Sequence, residues 1–217
     1  MGMFVSVRRT GTALIGVTLL LTVAACGDET DGNASADTSS STAAPAGELV
    51  GVETETFPAG KHVGPTQRVA YDTAPPFGGP HDQAWATCTG IVYPEAVRTE
   101  NMVHSLEHGA VWIAYNPDEP SDASRASLAE KVDGQPYTMM SPYPGIDSPI
   151  SLQAWGARLK LDDADDPRID QFIAEYRMSE DAPEPGASCA AIPRYFDPDN
   201  PPPFDASPPP ADAVPMR

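Results

Sequence analysis

The sequence predicts an α+β domain, a small and mostly antiparallel sheet flanked by two or three short helices. Three observations carry this expectation. Strand-like runs are short and end at proline or glycine clusters, helical periodicity is confined to a few isolated stretches, and no βαβ unit repeats along the chain. Of the 217 residues, both ends lack the apolar pattern of a core, which leaves about 140–150 for one compact domain. The expected organisation is a leader over 1–25, a tether over 26–47, a globular domain over 48–192 and a Pro-rich disordered tail over 193–217.

Within the domain, Val50 to Phe57 alternates as an edge strand and stops at Pro58-Ala59-Gly60. Lys61 to Pro65 reads as a turn and Gln67 to Tyr71 as a short strand. The run Pro75-Pro76-Phe77-Gly78-Gly79-Pro80-His81 reads as an irregular loop, because proline offers no amide donor and glycine accepts almost any backbone angle. Thr99 can cap a short helix beginning at Glu100, with Gly109 as its terminating residue. Ala110 to Tyr115 follows as a strand with the near-continuous apolar character of a buried one. Ser121 or Asp122 then caps a helix over Ala123 to Val132, closed by Asp133-Gly134, and Tyr137 to Ser141 is a further strand. Ile150 to Leu161 alternates but is interrupted at Trp155-Gly156, which suggests one strand with a bulge. Finally Asp166-Pro167 opens a helix through Tyr176, whose Ile169, Phe172, Ile173 and Tyr176 recur at i, i+3, i+4 and i+7.

The ends speak for location. Arg8 and Arg9 precede an apolar stretch from Thr12 to Val23, too short for comfortable membrane spanning and shaped like an export signal. Val23-Ala24-Ala25-Cys26-Gly27 resembles the bacterial lipoprotein processing box. That resemblance implies cleavage before Cys26, lipidation of its sulfur, and a domain tethered by acyl chains on the extracytoplasmic face of the cell membrane. Gly27 to Gly47 is a flexible spacer rich in Ser, Thr, Ala and Asp. The last segment, Pro193 to Arg217, contains nine of the 25 prolines and reads as extended spacer or disordered tail. A net charge of −18 argues against nucleic acid as a partner, since phosphate binding needs a basic face. With Cys26 lipidated, Cys88 and Cys189 are the two cysteines that remain, and in an oxidising compartment they are expected to pair; the competing reading makes Cys88 a thiolate ligand.

The densest chemistry lies in Met102-Val103-His104-Ser105-Leu106-Glu107-His108-Gly109. Residues four apart on a helix are neighbours at ~5–6 Å between Cβ atoms, so His104 and His108 can share one ion, with Glu107 one position round. All four histidines fall between Lys61 and Gly109, which makes His81 the expected third ligand and His62 or Glu107 the completing group. If one ion were shared, the nitrogens of His81, His104 and His108 would converge to within ~4 Å of one another. Zinc or copper suits imidazoles. Met102, Met139 and Met140 add thioethers that would favour copper, although Met139 and Met140 alternate along a strand and should pack in the core.

The same residues also spell HxxEH, a zinc-hydrolase signature. Here Gly109 ends the helix at once, and the later helix turns Asp170 and Glu175 away from its apolar stripe, so no distal ligand presents itself. No peptidase or esterase activity is therefore expected from this motif, and no catalytic residue is assigned.

A family resemblance rests on the combination of Gly78-Gly79-Pro80-His81, Trp85 with Cys88, His104-Ser105-Leu106-Glu107-His108-Gly109-Ala110-Val111-Trp112-Ile113, Ser141-Pro142-Tyr143-Pro144-Gly145 and Ala154-Trp155-Gly156. Over Phe57 to Cys189 these resemble the Domain of Unknown Function 3105 family of bacterial envelope proteins. The resemblance implies an exported or membrane-tethered domain and supplies no activity, cofactor or catalytic residue. The leading expectation is thus a lipid-anchored extracytoplasmic domain that binds a transition metal through its histidine cluster. A non-catalytic structural or interaction module of the envelope is the alternative, with the protein partner and the oligomeric state unassigned.

Overall fold

A computed structural model describes residues 49–217, which belong to one compact unit. The expected leader, the Cys26 box and the tether to residue 47 lie outside the described residues, as does residue 48. The elements in chain order are β1 (Glu53–Thr54), β2 (His62–Val63), β3 (Val69–Ala70), β4 (His81–Asp82), β5 (Thr89–Val92), α1 (Thr99–Glu107), β6 (Val111–Tyr115), α2 (Asp122–Val132), β7 (Thr138–Pro142), β8 (Ile150–Ala154), β9 (Ala157–Leu161), α3 (Arg168–Tyr176) and β10 (Val214–Pro215). No helix among the described residues is long and apolar enough to cross a membrane.

Six strands form the main sheet in the order β1-β9-β8-β6-β7-β5. The β1–β9, β9–β8 and β8–β6 pairs are antiparallel, while β6–β7 and β7–β5 are parallel. The α+β class therefore holds, with a mixed sheet. Helix α2 supplies the crossover between the adjacent parallel strands β6 and β7, a connection that antiparallel neighbours would not need. Strand β6 is covered on both faces, and its Val-Trp-Ile-Ala run alternates between two apolar layers. Val111 and Ile113 pack with Met140, Ile150, Leu152 and the inner residues of α2 and α3, among them Leu128, Val132, Ile169 and Phe172. Trp112 and Ala114 face the opposite way with Met139, against Met102, Val103 and Leu106 of α1. The Ile169/Phe172 stripe of α3 is buried as its periodicity requires.

Cys88 and Cys189 form the expected disulfide across 101 residues, and both sulfurs lie in the α1-side layer. As a disulfide, Cys88 is no thiolate ligand. In α2 the cap is Ser121, whose hydroxyl accepts the Ser124 amide at 3.1 Å.

Four local expectations are corrected. Ile150 to Leu161 is a hairpin, with Ala154 opposite Ala157 and Trp155-Gly156 as its two-residue turn. Gly156 sits at φ 76° with the Glu55 carbonyl 2.7 Å from where a Cβ would stand, so the break in alternation marks a reversal of the chain. Thr99 lies inside α1, whose N-cap is Arg98 without a side-chain capping bond. The 62 and 81 regions, expected as turn and loop, contain the paired strands β2 and β4. Nor is the Pro-rich segment from 193 a disordered tail. Val214 and Pro215 pair with Val69 and Ala70, Pro203 bridges Val97, and Phe196 and Met216 are buried. Proline excludes helix but leaves an extended chain free to lie in a groove and to bury the apolar side chains between the prolines.

Candidate metal centre

Two pieces of local structure face each other at the centre. In the small parallel pair β2–β4, His62 is the register partner of His81, which sets their side chains next to each other. Opposite them, α1 presents His104 and Glu107 one turn apart. The result is a group of four side chains, His62, His81, His104 and Glu107, whose ligand atoms all lie within 4.8 Å of one another. The rings pack closely: His81 and His104 have centroids 4.7 Å apart, and His62 stacks on His104 at 5.0 Å with 21° between planes.

Each buried member is held by its backbone surroundings. His81 Nδ1 lies 2.8 Å from the Gly79 carbonyl and His104 Nδ1 lies 2.6 Å from the Asp82 carbonyl. A carbonyl only accepts, so each ring carries a proton on Nδ1 and turns Nε2 to the centre. The Gly60 amide donates to Glu107 Oε1 at 2.6 Å, leaving Oε2 turned toward the imidazoles. His81 Nε2 and Glu107 Oε2 then approach to 2.9 Å, and both are buried polar atoms without a hydrogen-bond partner. At this distance a proton on His81 Nε2 can bridge to the carboxylate, and one metal ion can equally take both atoms as ligands.

Burial, reinforced by neighbouring His81 and opposed by the bond at the Asp82 carbonyl, holds the His104 imidazole down to about 3. Burial would raise the Glu107 carboxyl, but His81 and the Gly60 amide outweigh it and bring the group to about 2. The centre thus combines neutral His104 with an ionised carboxylate. It also sits at the C-terminal turn of α1, where the helix carbonyls favour positive charge.

Of the expected ligands, His62, His81, His104 and Glu107 converge, and His108 does not join them. The His108 ring lies 4.7 Å from that of His104, but its Nδ1 is 2.9 Å from the Ser188 carbonyl and its Nε2 is turned to Glu184 at 3.7 Å. As the C-cap of α1, His108 keeps a right-handed helical backbone, and it is the Ser188 carbonyl and Glu184 that hold its ring away from the group. The segment after α3 seals this end: the amides of Glu184, Gly186 and Met178 donate to the carbonyls of Glu107, His108 and Gly109 at 2.9, 3.1 and 2.7 Å.

Met102 and Met139 pack in the α1-side apolar layer and Met140 in the other. Asp170 pairs with Lys131 at 2.8 Å on a helix packed against the far face of the sheet, so no ligand comes from α3. The groups that sequence reasoning missed are the backbone partners at Gly60, Gly79 and Asp82. Main-chain carbonyls and amides carry no residue-type signal, so nothing in the chain's lettering marks them.

Trp155 packs on His81 at 5.7 Å, and Trp85 lies 5.5 Å from His104 and 5.0 Å from His108. These rings wall the centre with apolar surface, which lowers the local dielectric and strengthens any charge interaction inside.

The family model described as "Protein of unknown function (DUF3105)" matches residues 62–191, a span that takes in all four converging side chains. No curated protein and no solved structure matches the chain.

Proposed function

The chain belongs to the DUF3105 family of proteins of unknown function, and from its buried histidine–glutamate group we propose that it binds one divalent transition-metal ion at the cell envelope. Three imidazole nitrogens and one carboxylate oxygen form a donor set suited to zinc(II), with copper(II) as the competitor. No thiolate joins the group, and Cys88 and Cys189 are held as a disulfide. The observation that carries the reading is the convergence of three imidazoles and one carboxylate within 4.8 Å of one another, with His81, His104 and Glu107 buried and their other polar atoms tied to backbone. Ligating histidines elsewhere share this habit of donating the second ring N–H to a backbone carbonyl.

The envelope location rests on the leader, on the lipoprotein-like box at Cys26 and on a disulfide typical of oxidising compartments. The tether would hold the domain off the membrane by an acyl anchor. A Cys26→Ser chain should leave the detergent phase on phase partitioning; retention there would remove the anchor from the reading.

The metal itself is tested by metal analysis and competitive titration of the purified chain. One zinc or copper ion per chain is expected in the wild type, and loss of it in His81→Ala/His104→Ala. Equal uptake by both proteins would overturn the proposal.

A further inference from the structure

The four donors are not equivalent, and their inequality bears on how the centre would be used. His81, His104 and Glu107 are 0%, 4% and 1% exposed as residues, and each has its second polar atom tied to backbone, at Gly79, Asp82 and Gly60. His62 has a side chain 37% exposed on a strand of two residues. Among the described residues no hydrogen bond fixes its ring. Its Nε2 stands 3.8 Å from Glu107 Oε2, against 2.9 Å for His81.

A tetrahedral ion with bonds of ~2.0–2.1 Å needs neighbouring donors ~3.4 Å apart, and the widest separation in this group is up to 4.8 Å. The donor that can travel to close such a gap is the exposed one on the short strand. Three donors therefore form a fixed platform, and the fourth is carried by a ring that water reaches. The seat of that ring has a definite shape. It stacks on His104 at 5.0 Å and 21°, and meets the edge of His81 at 4.9 Å and 75°, so it fits a flat aromatic ring with a nitrogen lone pair at its inner edge.

We propose that the outward coordination position held by His62 is exchangeable and accepts an external aromatic nitrogen donor of imidazole size, such as the histidine side chain of a partner protein. This rests on the metal-binding reading given above. In the exchange the metal bond to His62 Nε2 breaks as the bond to the incoming nitrogen forms, and no electron or proton is transferred. The platform retains the ion throughout, which is what exchange of a single ligand requires and a closed structural site does not provide.

The test loads the purified chain with Co(II) as a spectroscopic probe and compares the wild type with His62→Gly, His81→Gly and His104→Gly, each with and without imidazole. The His62→Gly protein should bind Co(II) about 10- to 100-fold more weakly, and imidazole should return its affinity and its visible spectrum toward those of the wild type. His81→Gly and His104→Gly should not recover, because their cavities are closed to solvent. In the wild type, release of Co(II) to a chelator should speed up in proportion to chelator concentration, a measurement that holds even if a buried-site variant fails to fold. Wild-type affinity in His62→Gly, no response of that variant to imidazole, equal rescue of His81→Gly, or a wild-type release rate indifferent to the chelator would each overturn this inference. A wild-type chain that takes up no Co(II) would instead remove the metal reading beneath it.

Discussion

The metal-free centre should make the domain acid-sensitive through its buried imidazoles; His108, also lowered by burial, acts alike in wild type and variant, and the share of His104 can be isolated by substitution. Its imidazole titrates at about 3 in the folded chain against 6.5 for the free side chain. A folded value below the unfolded one means that the unfolded chain binds the proton first. The contribution is therefore fully present above the unfolded value, and folding weakens as pH falls below ~6.5 toward the folded value. Between pH 7 and pH 5 this linkage amounts to about 2 kcal/mol, from ~1.4 kcal/mol for each tenfold excess of proton binding. Glu107, also with a lowered value, near 2, loses its contribution only below the ordinary carboxylate range, so pH 5 separates the two effects. In a domain of this size 2 kcal/mol corresponds to about 4–8 °C in Tm. The assay is thermal unfolding of chelator-treated wild type and His104→Gln at both pH values, where the glutamine amide can still donate to the Asp82 carbonyl. Wild type should lose the larger amount, by about that margin. An equal loss in the two proteins would refute the argument that burial keeps His104 neutral, and with it the picture of a lone pair aimed at the centre.

Other outcomes are expected on the same grounds. Glu107→Gln keeps the shape but removes the anionic donor, so zinc affinity should fall by more than about 10-fold in competitive titration; unchanged affinity would exclude Glu107 as a ligand. Replacing both Cys88 and Cys189 by serine opens a 101-residue separation, worth up to about 4–5 kcal/mol in the chain-entropy estimate; a loss below about 1 kcal/mol in denaturant unfolding would show that the cross-link does little to the unfolded chain. Truncation after Ile192 removes Phe196 and Met216 from the core and strips β10 from β3. At ~1.5–3 kcal/mol for each buried side chain, several kcal/mol should be lost, and an unchanged midpoint would mean the segment does not pack in solution. Gly90→Ala places a Cβ 2.3 Å from the Gln135 amide nitrogen at φ +84°. Backbone cannot yield as a side chain can, so a loss of roughly 1–3 kcal/mol is expected, with stability equal to wild type as the contrary result.

Much of this molecule is determined locally, and that part is legible in the chain. The near-continuous apolar run from Ala110 to Tyr115 pointed to a strand covered on both faces, because consecutive side chains of a strand point in opposite directions. The Ile169 to Tyr176 stripe required a helix with one buried face. The disulfide followed from cysteine count and compartment, and the gathering of histidines between 62 and 108 announced where the chemistry lay. The ligand set itself was decided elsewhere. Helical spacing made His104 and His108 equals, but spacing cannot say what each ring meets, and the segment around Ser188 and Glu184 takes up the His108 nitrogens. His62 enters because β2 lies in register with β4, a pairing between strands of two residues whose sequence carries too few side chains to show period two. The same limit hid the Trp155-Gly156 reversal, since bulge and hairpin both appear as a break in alternation until the partner strand is known. Proline content likewise said only that residues 193–217 could not be helical. Whether an extended segment waves in solvent or lies in a groove depends on a surface built by residues more than a hundred positions away, and only the tertiary structure holds that information.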